Sequence, residues 1–229
     1  MTTSQKTALV IGASRGLGLG LTKELASRGW KVTATVRDPA KAADVKNAGP
    51  AVSTATVDID DSASVNALVE SLEGKSFDLV FVNAGVYGPG HQSALEATAE
   101  ELGALFKTNA ISPLALARRL AGRITTGGVL AFMTSHMGSV ADNTSGGADL
   151  YRASKAALNS MTRSFVPTLE GKGVTVLSMH PGWVKTDMGG PDAMLDVETS
   201  VKGLVDQIEK KAGSGGHHFV DYEGTVLAW

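Results

Sequence analysis

The chain has 229 residues, of which 43% are hydrophobic and 19% charged, and 21 basic against 23 acidic side chains leave a formal charge of −2. This composition is globular and excludes a disordered or fibrous chain, and the near-neutral balance gives no electrostatic reason for a nucleic-acid or membrane partner. The absence of cysteine excludes disulfides, thiolate metal sites and cysteine nucleophiles. No stretch reaches the roughly 18 uninterrupted apolar residues of a membrane span, and the first apolar run is too short for a signal-peptide core. The expectation is a cytoplasmic protein made of a single domain over 1–229.

In chain order, Thr7–Ile11 reads as a buried strand and 16–28 as a helix with Leu17, Leu21 and Leu25 on one face. Lys31–Val36 and 51–57 read as the next two strands, 63–72 as a helix and 78–83 as a fourth strand. A long helix is expected over 99–120 and a strand over 129–134. A helix over 150–169 follows, which Pro167 should kink or end. A strand over 174–179, a helix over Val197–Lys211 and an edge strand over His217–Asp221 complete the pattern. Strands alternating with helices imply right-handed crossovers and a mostly parallel sheet covered on both faces. Ligands bind such sheets at the carboxyl ends of the strands. Gly12, Arg37, Asp58, Asn83, Ser135 and Pro181 all fall just after strands.

The segment IGASRGLG follows the first strand and opens the first helix, with Gly12, Gly16 and Gly18 in the turn. Glycine lets the backbone turn sharply and approach a pyrophosphate, and a helix N-terminus offers that anion free N–H groups and partial positive charge. A nicotinamide dinucleotide with an unmodified ribose usually meets a carboxylate at the end of the second strand. Here Arg37 stands there, Asp38 comes one step later, and Arg15 lies in the glycine loop. Two guanidinium groups suit a 2′-phosphate, so NADP(H) is favoured, with NAD(H) possible.

Tyr151 and Lys155 share one helix face in LYRASKAALN. A phenol has a reference pKa of about 10, and a nearby ammonium lowers it. A phenol so tuned can give a proton to a carbonyl oxygen or take one from an alcohol. Alone the pair is a common helix feature. Here it follows the glycine loop, an NAG at Asn83–Gly85, Asn109 and Ser135, and it precedes PGWVKTD. Ser135 supplies a hydroxyl able to polarise the same carbonyl. Asn109 lies inside a helix, where asparagine is a poor former.

In this combination the chain resembles the short-chain dehydrogenase/reductase family over essentially its whole length. The resemblance implies a Rossmann-type doubly wound parallel sheet in three α/β/α layers. Tyr151 would be the general acid/base. Lys155 would bind the nicotinamide ribose and depress the tyrosine's pKa. Ser135 would orient the carbonyl, and Asn109 would hold a water of a proton relay. Gly12, Ser14, Arg15, Gly16, Leu17 and Gly18 would line the phosphates. Asp58 and Ile59 would flank the adenine, and Asn83, Ala84 and Gly85 the ribose. Pro181, Gly182, Val184 and Thr186 would meet the nicotinamide end. The stretch from Ser135 to Tyr151 is longer than the family's usual spacing, which leaves Ser139 as a fallback for the active serine. The stretches MGSVADNTSGG, HPGWVKTDMGG and DYEGTVLAW resemble the C-factor and sniffer-like carbonyl reductase branch.

Only MGGPDAMLD separates Asp187 from the last long helix, a thin lid over an open pocket or one completed by movement. Val86, Tyr87, Met137, Trp183, Met188 and Met194 are candidate lining residues, apolar and suited to lipophilic carbonyls. His136 has no evident carboxylate partner in the sequence, which argues against a serine-hydrolase triad. No catalytic metal is expected. The leading reading is an NADP(H)-dependent oxidoreductase interconverting a carbonyl and an alcohol. The alternative, motivated by the C-factor resemblance, is a cofactor-binding signalling protein with incidental turnover. An epimerase or dehydratase is a third reading. A homo-dimer or homo-tetramer is open, with no nucleic-acid or membrane partner.

Overall fold

The computed structural model describes residues 5–169 and 171–229. Seven strands form one sheet: β1 (Thr7–Ile11), β2 (Lys31–Val36), β3 (Val52–Thr56), β4 (Phe77–Val82), β5 (Ile124–Met133), β6 (Thr175–His180) and β7 (His217–Asp221). Their order is β3-β2-β1-β4-β5-β6-β7, and every named pairing is parallel. This is the Rossmann-type doubly wound sheet. Strand order reverses between β1 and β4, where Ile11 pairs with Val82. A crevice opens beyond the carboxyl ends of strands at such a reversal.

Two apolar layers cover the sheet. Ala8 and Val10 point to one side, where Leu21 and Leu25 of α1 (Gly16–Ser27) meet Val201, Leu204 and Ile208 of α7 (Val197–Lys211). Leu9 and Ile11, on the alternate face, join Leu68 of α3 (Ser62–Ser71), Leu114 and Leu116 of α5 (Ser112–Leu120) and Leu158 of α6 (Asp149–Phe165). A near-continuous apolar strand such as TALVI is what a parallel strand buried on both faces requires.

Three expectations are corrected and a fourth is met. The single helix expected over 99–120 is two helices, α4 (Ala99–Phe106) and α5, joined by a π-turn at Lys107–Ile111. Pro113 has no N–H to offer the carbonyl one turn back at Asn109, and a wide turn is one way a helix absorbs such a loss. Strand β5 starts at Ile124 instead of 129, with a register shift opposite Phe77–Leu79 that accommodates Gly127 and Gly128. A short helix, α2 (Ala42–Lys46), follows a turn capped by Asp38 and was not expected. Helix α6 ends at Phe165, with a tighter turn over Val166–Leu169 around Pro167, the stop expected of that proline. Among the described residues no helix is long and apolar enough to cross a membrane.

Candidate active site

The glycine turn sits at the sheet's reversal point. Gly12 (φ +85°) and Gly16 (φ +52°) adopt left-handed conformations that favour glycine. A Cβ on Gly12 would lie 3.0 Å from the Ala84 backbone, and one on Gly18 would lie 2.0 Å from the Gly12 carbonyl oxygen. Gly12 and Gly18 thus let the turn press against the end of β4. The Asn83 side chain donates to that same Gly12 oxygen at 2.7 Å, and the Gly12 N–H donates to the Thr35 hydroxyl at 3.0 Å. Arg15 precedes α1 in extended backbone without a side-chain cap, and no acidic residue lies in the first turn. The first N–H groups of α1 are therefore available to an anion.

The two arginines take different roles. Arg15 forms an ion pair with Asp187 across the crevice, and both are exposed. Arg37 is exposed after β2 and has no ion-pair partner among the described residues. The carboxylate of Asp38 is engaged locally, accepting from the Ala40 N–H at 2.9 Å. Asp58 likewise accepts from the Asp60 N–H at 2.9 Å, and Ile59 packs on the second apolar layer. Ser14 and Leu17 lie in the glycine turn and at the start of α1, partly exposed.

Asn109, Ser135, Tyr151 and Lys155 converge behind this turn, all buried. Asn109 is positioned by the π-turn. Its Oδ1 accepts from the Val86 N–H at 2.8 Å, and its Nδ2 donates to the Val86 carbonyl at 2.8 Å and the Ser154 hydroxyl at 3.0 Å. It is a staple between α4–α5 and the segment after β4. Lys155 Nζ donates to the Met133 carbonyl at 3.0 Å. Gly85 leaves room for both groups, since a Cβ there would stand 3.2 Å from Asn109 Oδ1 and from Lys155 Nζ.

Ser135 lies two residues beyond β5 in extended backbone, and its hydroxyl accepts from the Met137 N–H at 3.1 Å. Ser139 has another task, its hydroxyl accepting from the Asp142 N–H at 3.0 Å. Burial pushes Tyr151 up to about 12, opposed by the Ser135 hydroxyl and reinforced by Tyr87. Burial pushes Lys155 down to about 8. The expectation of a phenol lowered by its lysine is thus not met in the protein alone. Loss of water dominates both groups, and each is driven toward its neutral form.

The apolar wall is open on one side. Val86, Tyr87, Trp183 and Met188 are all more than a third exposed, and the Tyr87 ring lies 5.1 Å from that of Tyr151. Trp183 donates to the Gly189 carbonyl at 2.8 Å, and the Gly189 N–H donates to the Thr186 hydroxyl at 3.1 Å. Val184 pairs with Leu195 in a short bridge. Pro181 accepts at its carbonyl from the Ser200 hydroxyl at 2.6 Å, and Gly182 (φ +81°) packs on Tyr222 and Leu195. The segment expected to be a thin lid is tied by its own bonds, beside a wall that is open. Met194 is largely exposed. Met137 lines a groove of about 270 Å³ with Ser139, Val140, Ala153 and Ala156, which Tyr151 does not line.

His136 has a carboxylate partner after all, its Nε2 lying 3.0 Å from Asp142. The pair makes no hydrolase triad, because among the described residues no hydrogen bond joins His136 to the Ser135 hydroxyl, which accepts from the Met137 N–H at 3.1 Å. Gln92 was missed entirely in the sequence. It is buried, and its side-chain oxygen accepts from the Tyr151 backbone N–H at 2.8 Å.

With this geometry in view, the comparisons are specific. Residues 6–194 match the family model described as short chain dehydrogenase. The C-signal of Myxococcus xanthus is 40% identical over 155 residues, 66% of this chain and 92% of that protein. A carbonyl reductase from Pseudomonas aeruginosa PAO1 in complex with NADP superposes with a TM-score of 0.90 at 44% identity, over 99% of this chain and 100% of that one. The carbonyl reductase Sniffer of D. melanogaster does so with a TM-score of 0.87 at 31% identity, over 99% and 100%. The chain belongs to the short-chain dehydrogenase family, in its C-factor and sniffer-like branch, and is an oxidoreductase of that family.

Proposed function

We propose that the protein is an NADP(H)-dependent carbonyl reductase that acts as a single cytoplasmic domain over 1–229. The observation that carries the reading is the buried Ser135–Tyr151–Lys155 group lying directly behind a glycine turn shaped for a dinucleotide. The reduced nicotinamide, when bound, supplies the hydride. Gly12, Ser14, Gly16, Leu17 and Gly18 hold its pyrophosphate, and Arg37 binds the 2′-phosphate. Asp58 and Ile59 flank the adenine. Asn83, Ala84 and Gly85 line the ribose, and Pro181, Gly182, Val184 and Thr186 the nicotinamide end.

The remaining chemistry belongs to the chain. Ser135 and Tyr151 orient the carbonyl oxygen, and the phenol gives its proton to that oxygen as charge develops there. Burial keeps the phenol protonated at neutral pH, which is the form a reduction needs. Lys155 holds the ribose hydroxyls and, through the Asn109 region, replaces the proton. Val86, Tyr87, Trp183 and Met188 favour an apolar carbonyl substrate. The NADP complex of the related Pseudomonas carbonyl reductase supports the cofactor assignment. A homo-dimer or homo-tetramer is the expected assembly.

The likeness to C-signal favours a second reading, a signalling protein that binds the nucleotide without needing to turn it over. Tyr151→Phe separates them. It removes the proton donor while leaving the glycine turn intact. A biological effect that survives this change belongs to the second reading, and one that disappears with carbonyl-dependent NADPH oxidation belongs to the first.

A further inference from the structure

Among the described residues, two other than glycine have left-handed backbone, Gln92 and Ala148, each with φ +52°. Such conformations are costly and persist where the surroundings demand them. Both flank the first turn of α6, which carries Tyr151. Ala148 is the residue before the helix and gives it no side-chain cap. The N–H groups of a helix's first turn need partners from elsewhere. A side chain at the capping position commonly accepts from the third helical N–H, which here belongs to Tyr151.

Gln92 supplies that acceptor from another loop. Its Oε1 accepts from the Tyr151 N–H at 2.8 Å, across 59 residues of sequence. Its Nε2 donates to the Tyr87 carbonyl at 2.9 Å and the Pro89 carbonyl at 2.7 Å. The amide is thus committed at both ends and buried, with only 7% of the residue exposed. One end grips the backbone of the candidate acid. The other grips the segment whose Tyr87 ring packs 5.1 Å from the Tyr151 ring. Gly88 (φ +89°), with Leu105 about 3.0 Å from where its Cβ would be, lets this loop close over the amide.

We infer that Gln92 is a positioning residue: it caps the helix of Tyr151 from a distance and fixes the phenol relative to the Val86–Tyr87 wall. This rests on the carbonyl reductase reading. The buried amide locks two elements that otherwise meet through side-chain packing, so its loss moves the phenol without disturbing the glycine turn. A shift of about 1 Å in a reacting group costs up to about 100-fold in rate.

The test is a double-mutant cycle on kcat with NADPH and a small aromatic aldehyde, using Gln92→Ala in the wild-type and Tyr151→Phe backgrounds. NADPH binding is followed by fluorescence in every variant. Gln92→Ala is expected to lower kcat about 10- to 100-fold with NADPH affinity within about twofold of wild type. In the Tyr151→Phe background it is expected to change the residual rate less than about twofold, because the group it positions is gone. Equal losses in both backgrounds overturn the inference, as does a Gln92→Ala enzyme with wild-type kcat. Should Gln92→Ala fail to bind NADPH, Gln92→Asn decides. Asparagine tolerates left-handed backbone but ends one methylene short of Tyr151, so a fall in kcat with intact NADPH binding is expected, and wild-type kcat overturns the inference. A wild-type enzyme that oxidises no NADPH with any carbonyl sinks the reductase reading instead, which keeps the two failures apart.

Discussion

The Lys155 ammonium lies 5.8 Å from the ring centre of Tyr151 and directs a hydrogen bond to the Met133 carbonyl at 3.0 Å. The lysine therefore sits beneath the phenol, anchored to β5, without ionising it. Their relationship is one of shared burial, and its consequence is a pH dependence. Lys155 is pushed down to about 8 and Tyr151 up to about 12. The free enzyme should keep its phenol protonated across the working range and lose the lysine charge first. The kcat/KM for NADPH should fall on the alkaline side through about pH 8, since this parameter reports free-enzyme groups. Lys155→Arg, which stays charged, should remove that limb even where it lowers the rate. A limb that persists unchanged in Lys155→Arg would assign it elsewhere.

Gly85 stands where a methyl group would crowd both Asn109 and Lys155 at 3.2 Å. Gly85→Ala should therefore displace the ammonium by a few tenths of an ångström and lower kcat by about 10-fold or more. The thermal unfolding midpoint should fall modestly, because the bonded Asn109 amide as well as the end of Lys155 must give by a few tenths of an ångström. Steady-state kinetics beside a melting curve checks both halves of this expectation.

Asn109 satisfies both backbone groups of Val86 from a fully buried position. Asn109→Ala would remove the partners of the part-buried Val86 N–H and C=O, at about 0.5–1.5 kcal/mol for each hydrogen bond lost. The expected result is a lower denaturation midpoint as well as lower activity. Asn109→Asp keeps an acceptor for the N–H but offers no donor to the carbonyl, and should be intermediate in stability.

His217 is wedged between the Ser178 hydroxyl at 3.0 Å, the Arg163 guanidinium at 3.1 Å and the Trp229 ring, whose centre is 4.5 Å away. Burial and then Arg163 push it down to about 3, and burial pushes His180 down to about 4. Both folded values lie below the ordinary histidine value of 6.5. Their contribution is thus present above pH 6.5 and is lost as pH falls through the folded values. Stability should decline from about pH 6.5 downward, and His217→Gln should flatten that decline. Melting temperatures of both proteins between pH 4 and 8 measure it.

Cofactor choice separates the two arginines. Arg15 is engaged with Asp187, and Arg37 is not paired among the described residues. Arg37→Ala should weaken NADPH binding about 10-fold or more while leaving NADH nearly unchanged, since only the 2′-phosphate differs. Arg15→Ala should affect both nucleotides more evenly, because its partner holds the segment that meets the nicotinamide end. Titrations with both nucleotides distinguish these outcomes.

The parts of the site that were legible in the sequence are those that local spacing dictates. Tyr151 and Lys155 share a helix face because four residues make about one turn, and the glycine turn announces itself by position between a strand and a helix. Val197–Lys211 and His217–Asp221 emerge with the expected bounds because their apolar periods are clear. What escaped depends on partners remote in sequence or on turns without a period. Nothing near Gln92 hints that its amide meets Tyr151. Asp142 reaches His136 only because the loop between them folds back on itself. The strand expected from 129 starts at Ile124 and runs through Gly127 and Gly128, because the sheet tolerates a bulge there. The π-turn hides inside an otherwise unbroken helical pattern.

The central claim is that Tyr151 supplies the proton in an NADPH-dependent carbonyl reduction. The most direct measurement compares wild type and Tyr151→Phe for NADPH binding by fluorescence and for NADPH oxidation with a panel of aldehydes, ketones and quinones. The expected result is equal nucleotide affinity, carbonyl-dependent oxidation by the wild type and a loss of about 100-fold or more in the variant. Turnover undiminished in Tyr151→Phe, or a wild-type protein that binds neither NADPH nor NADH, would contradict the account.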